Sequence, residues 1–181
     1  MSKSILLATL ACSLVQGQQF DSTEIKQVIE ESKLTCSSSV RLQNVNNLYF
    51  LFSNSMGYGG GSGQQIVTCH NQPYLNGELW TFKEQDLSDQ QLSPSELDQK
   101  TCLTGKVLRC GDTIRLEHME TAKNLHSHEV KSPISSQNEV SGYGDDGEGD
   151  SGDNWKIECL DQTTNLPLKG EQEVDGKTQF Q

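Results

Sequence analysis

Apolar positions along this chain recur in short clusters with a period of two. Val40 and Leu42 alternate with Arg41 and Gln43, and Ile114 and Leu116 alternate with Arg115 and Glu117, as half-buried strands do. Leu51 and Leu125 mark second short strands, Val67 and Val140 third ones, and Trp80 and Trp155 fourth ones. One stretch has a different period. Asp21-Ser-Thr-Glu24 is a capping box, and Ile25, Val28 and Ile29 follow at helical spacing, which predicts a short N-terminal helix over Ser22–Ser32. Everything beyond it reads as strands and turns.

The strand clusters form an internal repeat. Cys36-Ser-Ser-Ser-Val-Arg-Leu-Gln-Asn-Val45 aligns with Cys110-Gly-Asp-Thr-Ile-Arg-Leu-Glu-His-Met119 at an offset of 74, and without a gap Leu51-Phe-Ser-Asn54 falls on Leu125-His-Ser-His128. With small gaps, Ser62-Gly-Gln-Gln-Ile-Val67 matches Ser135-Ser-Gln-Asn-Glu-Val140, and Trp80-Thr-Phe-Lys83 matches Trp155-Lys-Ile-Glu158. Four short strands cannot bury an apolar face alone, so such units must associate. Three of them closing on a pseudo-threefold axis make an all-β fold, the β-trefoil. The expected domain is therefore residues 34–181, with units at about 34–83 and 108–159. A third unit at 160–181 is incomplete, because Phe180-Gln181 corresponds only to Ile114-Arg115. This predicts a truncated product in preference to a fold completed by a partner.

Composition places the domain. Lys3 followed by the apolar run Ile5–Val15 and the compact Val15-Gln-Gly17 reads as a signal peptide over residues 1–17, leaving a helical segment at 18–33 before the β-domain. That run is too short to span a bilayer, which takes about 20 apolar residues, and no later segment is apolar enough. The net charge of -11 opposes binding to nucleic acid or to anionic membranes. Beyond the leader stand Cys36, Cys69, Cys102, Cys110 and Cys159, an odd set, so at least one is free or pairs between chains. Cys102 and Cys110 frame a segment containing Gly105 and are candidates to bridge a hairpin, although spacing alone leaves the connectivity open.

The residues just quoted resemble the MIR repeat, and most of all the stromal cell-derived factor 2 group within that family. The similarity runs from Thr35-Cys36-Ser-Ser-Ser-Val-Arg-Leu42 through Tyr58-Gly-Gly-Gly-Ser-Gly-Gln-Gln65, Cys102-Leu-Thr-Gly-Lys-Val-Leu-Arg-Cys110 and Asn124-Leu-His-Ser-His128 to Asp153-Asn-Trp155. The resemblance implies a β-trefoil in the endoplasmic reticulum lumen, or secreted. It also implies a non-catalytic partner of a lumenal Hsp40 co-chaperone and Hsp70, acting with unfolded clients in protein quality control. A link to O-mannosylation makes a glycan-binding module the alternative. The chain departs from the pattern where Leu51-Phe-Ser-Asn54 stands for Leu-His-Ser-His, in an added stretch at 84–100, and in lacking the rest of a third repeat and a retention signal.

Candidate chemistry centres on Leu125-His126-Ser127-His128. On a strand both imidazoles point to one face, so a zinc pair is conceivable, yet His118 is the only third ligand in view. Imidazoles bonded to backbone carbonyls, or a shallow ligand or partner pocket formed by Arg115, Asn124, His126 and His128, are the other readings. Gly57–Gly63 lacks the Lys and the helix of a phosphate-binding loop. The acidic run Asp145–Asp153 reads as a solvated loop that steers a basic partner, with calcium as the alternative. His70 beside Cys69 points to the opposite face, so no nucleophile is assembled. No catalytic residue, metal or cofactor is assigned.

Overall fold

The computed structural model describes residues 3–6, 32–72, 77–87, 90–145, 148–161, 163–164, 166–168, 172–175 and 179–180. Its strands are β1 Lys3–Leu6, β2 Ser39–Asn44, β3 Phe50–Gly57, β4 Gln65–His70, β5 Trp80–Glu84, β6 Thr113–His118, β7 Asn124–Lys131, β8 Asn138–Tyr143, β9 Trp155–Lys156, β10 Cys159–Leu160 and β11 Gln179–Phe180. Among the described residues, β2-β3-β4-β8-β7-β6-β5 pair in that order and β5 returns to β2, closing a seven-strand barrel. Closure removes the edges that a β-rich chain must otherwise protect.

The repeat is visible in the hydrogen bonds. Val40 pairs with Trp80, and Ile114 with Trp155. Ser53 Oγ donates to the Ile66 carbonyl, and Ser127 Oγ donates to the Glu139 carbonyl. The indole N–H of Trp80 reaches the Leu51 carbonyl, as that of Trp155 reaches Leu125. The alternation read from sequence packs as expected: Val40, Leu42, Ile114 and Leu116 all point inward and are buried. Trp80 and Phe82 are the largest fully buried side chains beside them. The third unit is not delineated by these contacts; β11 lies between β10 and β1 and pairs with both.

Three expectations need comment. The N-terminal helix expected over Ser22–Ser32 falls, but for Ser32, on residues outside those described. Within the expected leader, Lys3–Leu6 form β1, antiparallel to β2 with Ile5 opposite Leu42. The stretch beyond residue 84 is not all strand and turn, because Pro94–Lys100 form helix α1. Its start is a capping box: Ser93 accepts from the Glu96 N–H, the Glu96 carboxylate accepts from the Ser93 N–H, and Pro94 supplies the preset φ of a first turn. These hydrogen bonds from Ser93 hold the Glu96 carboxyl below its ordinary range.

The disulfide pairing differs from the candidate hairpin bridge. Cys102 and Cys110 are bonded to other partners, Cys36–Cys102 and Cys110–Cys159. The backbone explains why. The turn around Gly105 hydrogen-bonds to Cys36 through Cys36 N–H to Lys106 O and Gly105 N–H to Cys36 O. This lays Cys102 against the strand that opens the first unit. Gly111 N–H to Ile157 O and Ile157 N–H to Asp112 O bring Cys110 to Cys159 in the same manner. Each bond thus ties a unit's first cysteine to the chain that leaves that unit. Cys69, exposed on β4, is in neither bond.

Candidate functional site

Each unit carries a buried carboxylate two residues before its tryptophan: Glu78 in Glu78-Leu-Trp80 and Asp153 in Asp153-Asn-Trp155, both 0% exposed. A buried carboxylate must be paired. Asp153 Oδ1 lies 2.9 Å from Nδ1 of His126 on β7. Glu78 has its imidazole from the other strand of the hairpin: Nε2 of His70, on β4, stands 3.1 Å from Oε1, and Arg41 Nε stands 3.1 Å from Oε2. The position equivalent to His126 is Phe52, which meets His70 edge to face at 4.6 Å. In the second unit the equivalent strand positions also bring two rings together, His126 and Tyr143 at 4.7 Å, but tilted at 39° and not edge to face. Imidazole and benzene ring have exchanged strands, and the ring pair over the carboxylate is kept.

A glycine lets the turn close on these rings. A Cβ at Gly77 would fall 2.2 Å from Phe52 Cε2, and one at Gly152 would fall 2.5 Å from His126 Cε1. Either contact is closer than real Cβ atoms come, so both positions need glycine. The turn at Gly152 is a 3-10 segment, Ser151–Asp153, whose own capping pair is Asp150 and Asp153. Asp150 N–H donates to Asp153 Oδ2 and Gly152 N–H donates to Asp150 Oδ1. Burial pushes the Asp153 carboxyl above its usual range, against the lowering effect of the Asp150 and His126 bonds. His126 Nδ1, Asp150 and Asp153 offer atoms within 4.8 Å of one another. Since these atoms are engaged in closing the turn, we read the cluster as a turn lock and assign it no metal.

The four residues singled out from sequence separate into three places. Asn124, 1% exposed, donates from Nδ2 to the Glu148 carbonyl and so anchors the acidic loop. His126 locks the 3-10 turn. His128 has its ring 5.0 Å from that of His126, on the same face as expected, but its Nε2 faces Glu139 Oε1 at 3.4 Å rather than a shared centre with His126. Arg115 donates from Nε to the Glu84 carbonyl and lines a separate groove with Leu97 and Glu148. His118, weighed as a third ligand, is fully buried against Trp80 and bonded through Nδ1 to Thr121 Oγ1. Glu78 is not among the candidates read from the sequence, His70 is weighed there only beside Cys69, and Asp153 only as the end of an acidic loop. The acid two residues before each tryptophan was the available signal.

Between the units lies a polar cavity of about 490 Å³. The first hairpin contributes Gly57, Gly63, Gln64 and Gln65, and the second contributes Tyr143, Gly144 and Asp145. Tyr143 is 38% exposed, and its ring meets that of the buried His126 at a tilt of 39°.

His118 gives a pH prediction. Burial lowers its pKa, opposed by a hydrogen bond to the Gly77 carbonyl. A histidine held neutral in the fold stabilises fully above its unfolded value of about 6.5, and that contribution is lost as pH falls toward the native value. Denaturant melts below about pH 6.5 should show a smaller acid-dependent loss in His118→Gln than in the parent. Identical slopes for the two would show that another group takes up the proton.

The seven-strand barrel, its repeated Trp strands and its paired imidazole–carboxylate turns define an all-β module of the MIR class. The MIR domain model matches residues 79–181, and the chain belongs to the MIR-domain family. Within it, the chain is 38% identical over 157 residues to a stromal cell-derived factor 2-like protein of Dictyostelium discoideum, covering 85% of this chain and 66% of that one. It is 35% identical to human stromal cell-derived factor 2-like protein 1, covering 87% of this chain and 63% of that one. The chain thus spans just under two thirds of the length of these relatives. Among solved structures, the SDF2-like protein of Arabidopsis thaliana superposes with a TM-score of 0.61 at 35% identity, covering 76% of this chain and 68% of that chain. A protein O-mannosyltransferase complex of S. cerevisiae, bound to its sugar donor, gives 0.63 at 28% identity, covering 82% of this chain and 19% of that chain. Among the described residues no helix is long and apolar enough to cross a membrane.

Proposed function

We propose that this chain is a non-catalytic adaptor of the endoplasmic reticulum lumen. It enters by the leader at residues 1–17, and its module docks a lumenal Hsp40 co-chaperone and through it Hsp70 in protein quality control. The observation that carries this reading is the use made of the titratable side chains. Glu78, His70, His126 and Asp153 are spent on holding turns against the barrel. General acid–base work needs a poised group within reach of a substrate proton, and groups locked in pairs beneath a turn do not meet that need. The similarity to stromal cell-derived factor 2 proteins supports the same reading. Tagged chain incubated with lumenal extract should retain a J-domain protein, identified by mass spectrometry. Retention of none under gentle conditions would sink the adaptor role.

A second reading, glycan binding, is favoured by the interunit cavity. Its wall of glycine backbone, glutamine amides and the partly exposed Tyr143, with Lys123, Asp145 and Glu148 beside them, offers donors and acceptors that suit a polyhydroxylated ring. Tyr143→Ala should abolish any glycan-array signal, and a silent array with the parent chain removes the reading.

A further inference from the structure

Strand β2 meets both of its ring neighbours along one backbone side. The Ser38 carbonyl accepts from Phe82 N–H of β5, and Asn44 N–H donates to the Tyr49 carbonyl just before β3. Backbone groups alternate sides along a strand, so the amides of Arg41 and Gln43 point the other way. Strand β1 covers that other side, with Lys3 opposite Asn44, Ser4 opposite Gln43, Ile5 opposite Leu42 and Leu6 opposite Arg41. The register is that of another pair in the molecule. At the offset of 74 that relates the two units, residues 44, 43, 42 and 41 correspond to residues 118, 117, 116 and 115, which face Trp80, Thr81, Phe82 and Lys83 of β5. The far side of β1 repeats the match. Lys3 and Ser4 pair with Phe180 and Gln179, as Trp80 and Thr81 pair with Val40 and Ser39. On both sides, therefore, residues 3–6 stand where a tryptophan strand stands, with position 3 in the place of Trp80 and position 5 in the place of Phe82.

We propose that this side of β2, at Arg41–Asn44, is an acceptor slot for an extended strand of a partner protein, and that residues 3–6 are its replaceable occupant. The partner strand carries an aromatic residue in the place of Trp80 and an apolar one two positions on. The fold itself shows what these places demand. Trp80 is 0% and Phe82 2% exposed, and in the second unit Ile157, two positions after Trp155, is 4% exposed. Residues 3–6 meet the demand only at the second place, because position 3 is lysine. A lysine at a register position that burial reserves for an indole closes the sheet less well than a tryptophan does. Main-chain hydrogen bonds hold any strand added to such a row of donors and acceptors, and the two inward places select which strand it is. A second copy of this chain is a poor donor, since its tryptophan strands are already paired, β5 with β2 and β6, and β9 with β6. In the mature protein the slot is emptied when residues 1–17 are removed; that consequence rests on the reading of those residues as a leader.

The test uses the full chain, with a labelled peptide of residues 78–86, Glu78-Leu-Trp80-Thr-Phe82-Lys-Glu-Gln-Asp86, as the incoming strand. By the alternation of the ladder Ser4 N–H faces the Gln43 carbonyl, so Ser4→Pro removes that donor and unseats β1. Fluorescence anisotropy should show the peptide binding Ser4→Pro roughly tenfold tighter than the parent, the factor expected when a resident strand fills about nine slots in ten. Amide exchange at Arg41 and Gln43 should quicken in Ser4→Pro and slow again when peptide is added, while unchanged β6 amides report an intact barrel. Peptide carrying Trp80→Ser and Phe82→Ser should bind neither chain. Lys3→Trp improves the resident strand and should bind the parent peptide more weakly than the parent chain does; it carries the test if Ser4→Pro fails to fold. Equal affinity of the peptide for parent and Lys3→Trp, or protection gained away from Arg41 and Gln43, overturns the slot. A Ser4→Pro dimer with both amides protected in the absence of peptide overturns the partner as occupant in favour of a second copy. Retention of no J-domain protein would leave these outcomes unchanged, and none of them depends on cleavage of the leader.

Discussion

Replacing Cys36 and Cys102 together by alanine is expected to lower stability by about 4 kcal/mol, and replacing Cys110 and Cys159 to lower it by nearly as much. The bonds join residues 66 and 49 apart in sequence. Because closure entropy grows only with the logarithm of loop length, the two losses should differ by a few tenths of a kcal/mol. Both also remove sulfurs packed on the barrel core, since Cys36 and Cys159 are each 2% exposed. Against a typical domain stability of about 5–15 kcal/mol, either loss is a large fraction, and both together should leave little folded chain. Urea titrations of the two paired variants measure this. A loss below about 1 kcal/mol for either pair would mean that its ends stay together in the unfolded chain without the bond. A much larger loss for one would mean that its native packing, not closure, dominates.

The repeat explains both what could be read beforehand and what could not. Strand positions were legible because burial on one face imposes a period of two, and Val40, Leu42, Ile114 and Leu116 obey it in both copies. Helix α1 was legible in principle, since Ser93-Pro-Ser-Glu96 is a capping box, but it lacks an apolar stripe: Leu97 is 47% exposed. A helix without such a stripe leaves no 3.6-residue hydrophobic period in the sequence. Disulfide partners depend on which strands lie side by side after the barrel closes, and spacing along the chain carries none of that. The same holds for the candidate site. His126 and His128 were found because they stand in one short motif, whereas His70 and Glu78 come from different segments. Their pairing exists only once β4 and the turn before β5 have been brought together.

The strand exchange between units also shows which feature the fold requires. Reading Phe52 and Asn54 as lost histidines suggests a first unit stripped of its site. In the structure a buried carboxylate, a ring pair and a pressed glycine persist in both units, while the strand that carries the imidazole, the tilt of the rings and the Arg41 partner of Glu78 differ. What has been kept is a way to bury a turn's carboxylate beneath aromatic rings just before the tryptophan strand. That is a demand of folding, and it argues that the site's function lies in the loops these turns position.

Removing the carboxylate of the first unit tests that demand. Glu78→Ala is expected to lose about 3 kcal/mol, the lower end of the cost of breaking a buried ion pair. The lower end applies because the two partners differ from Glu78 in exposure. Glu78 is wholly buried, while the side chains of Arg41 and His70 are 20% and 28% exposed. Once deprived of the carboxylate, both can turn toward water instead of remaining as buried charges. The remaining cost is the cavity beside Trp80 and the loosened turn at Gly77, which rests against Phe52. A double-mutant cycle with Arg41→Met separates these contributions. A coupling of about 1–2 kcal/mol between positions 41 and 78 is expected. With Arg41 already replaced, Glu78→Ala should then cost correspondingly less. Should Glu78→Ala melt with the parent chain, or the cycle show no coupling, the buried carboxylate is not what holds the turn. The shared geometry of Glu78 and Asp153 would then reflect common ancestry of the two units without a present role in stability.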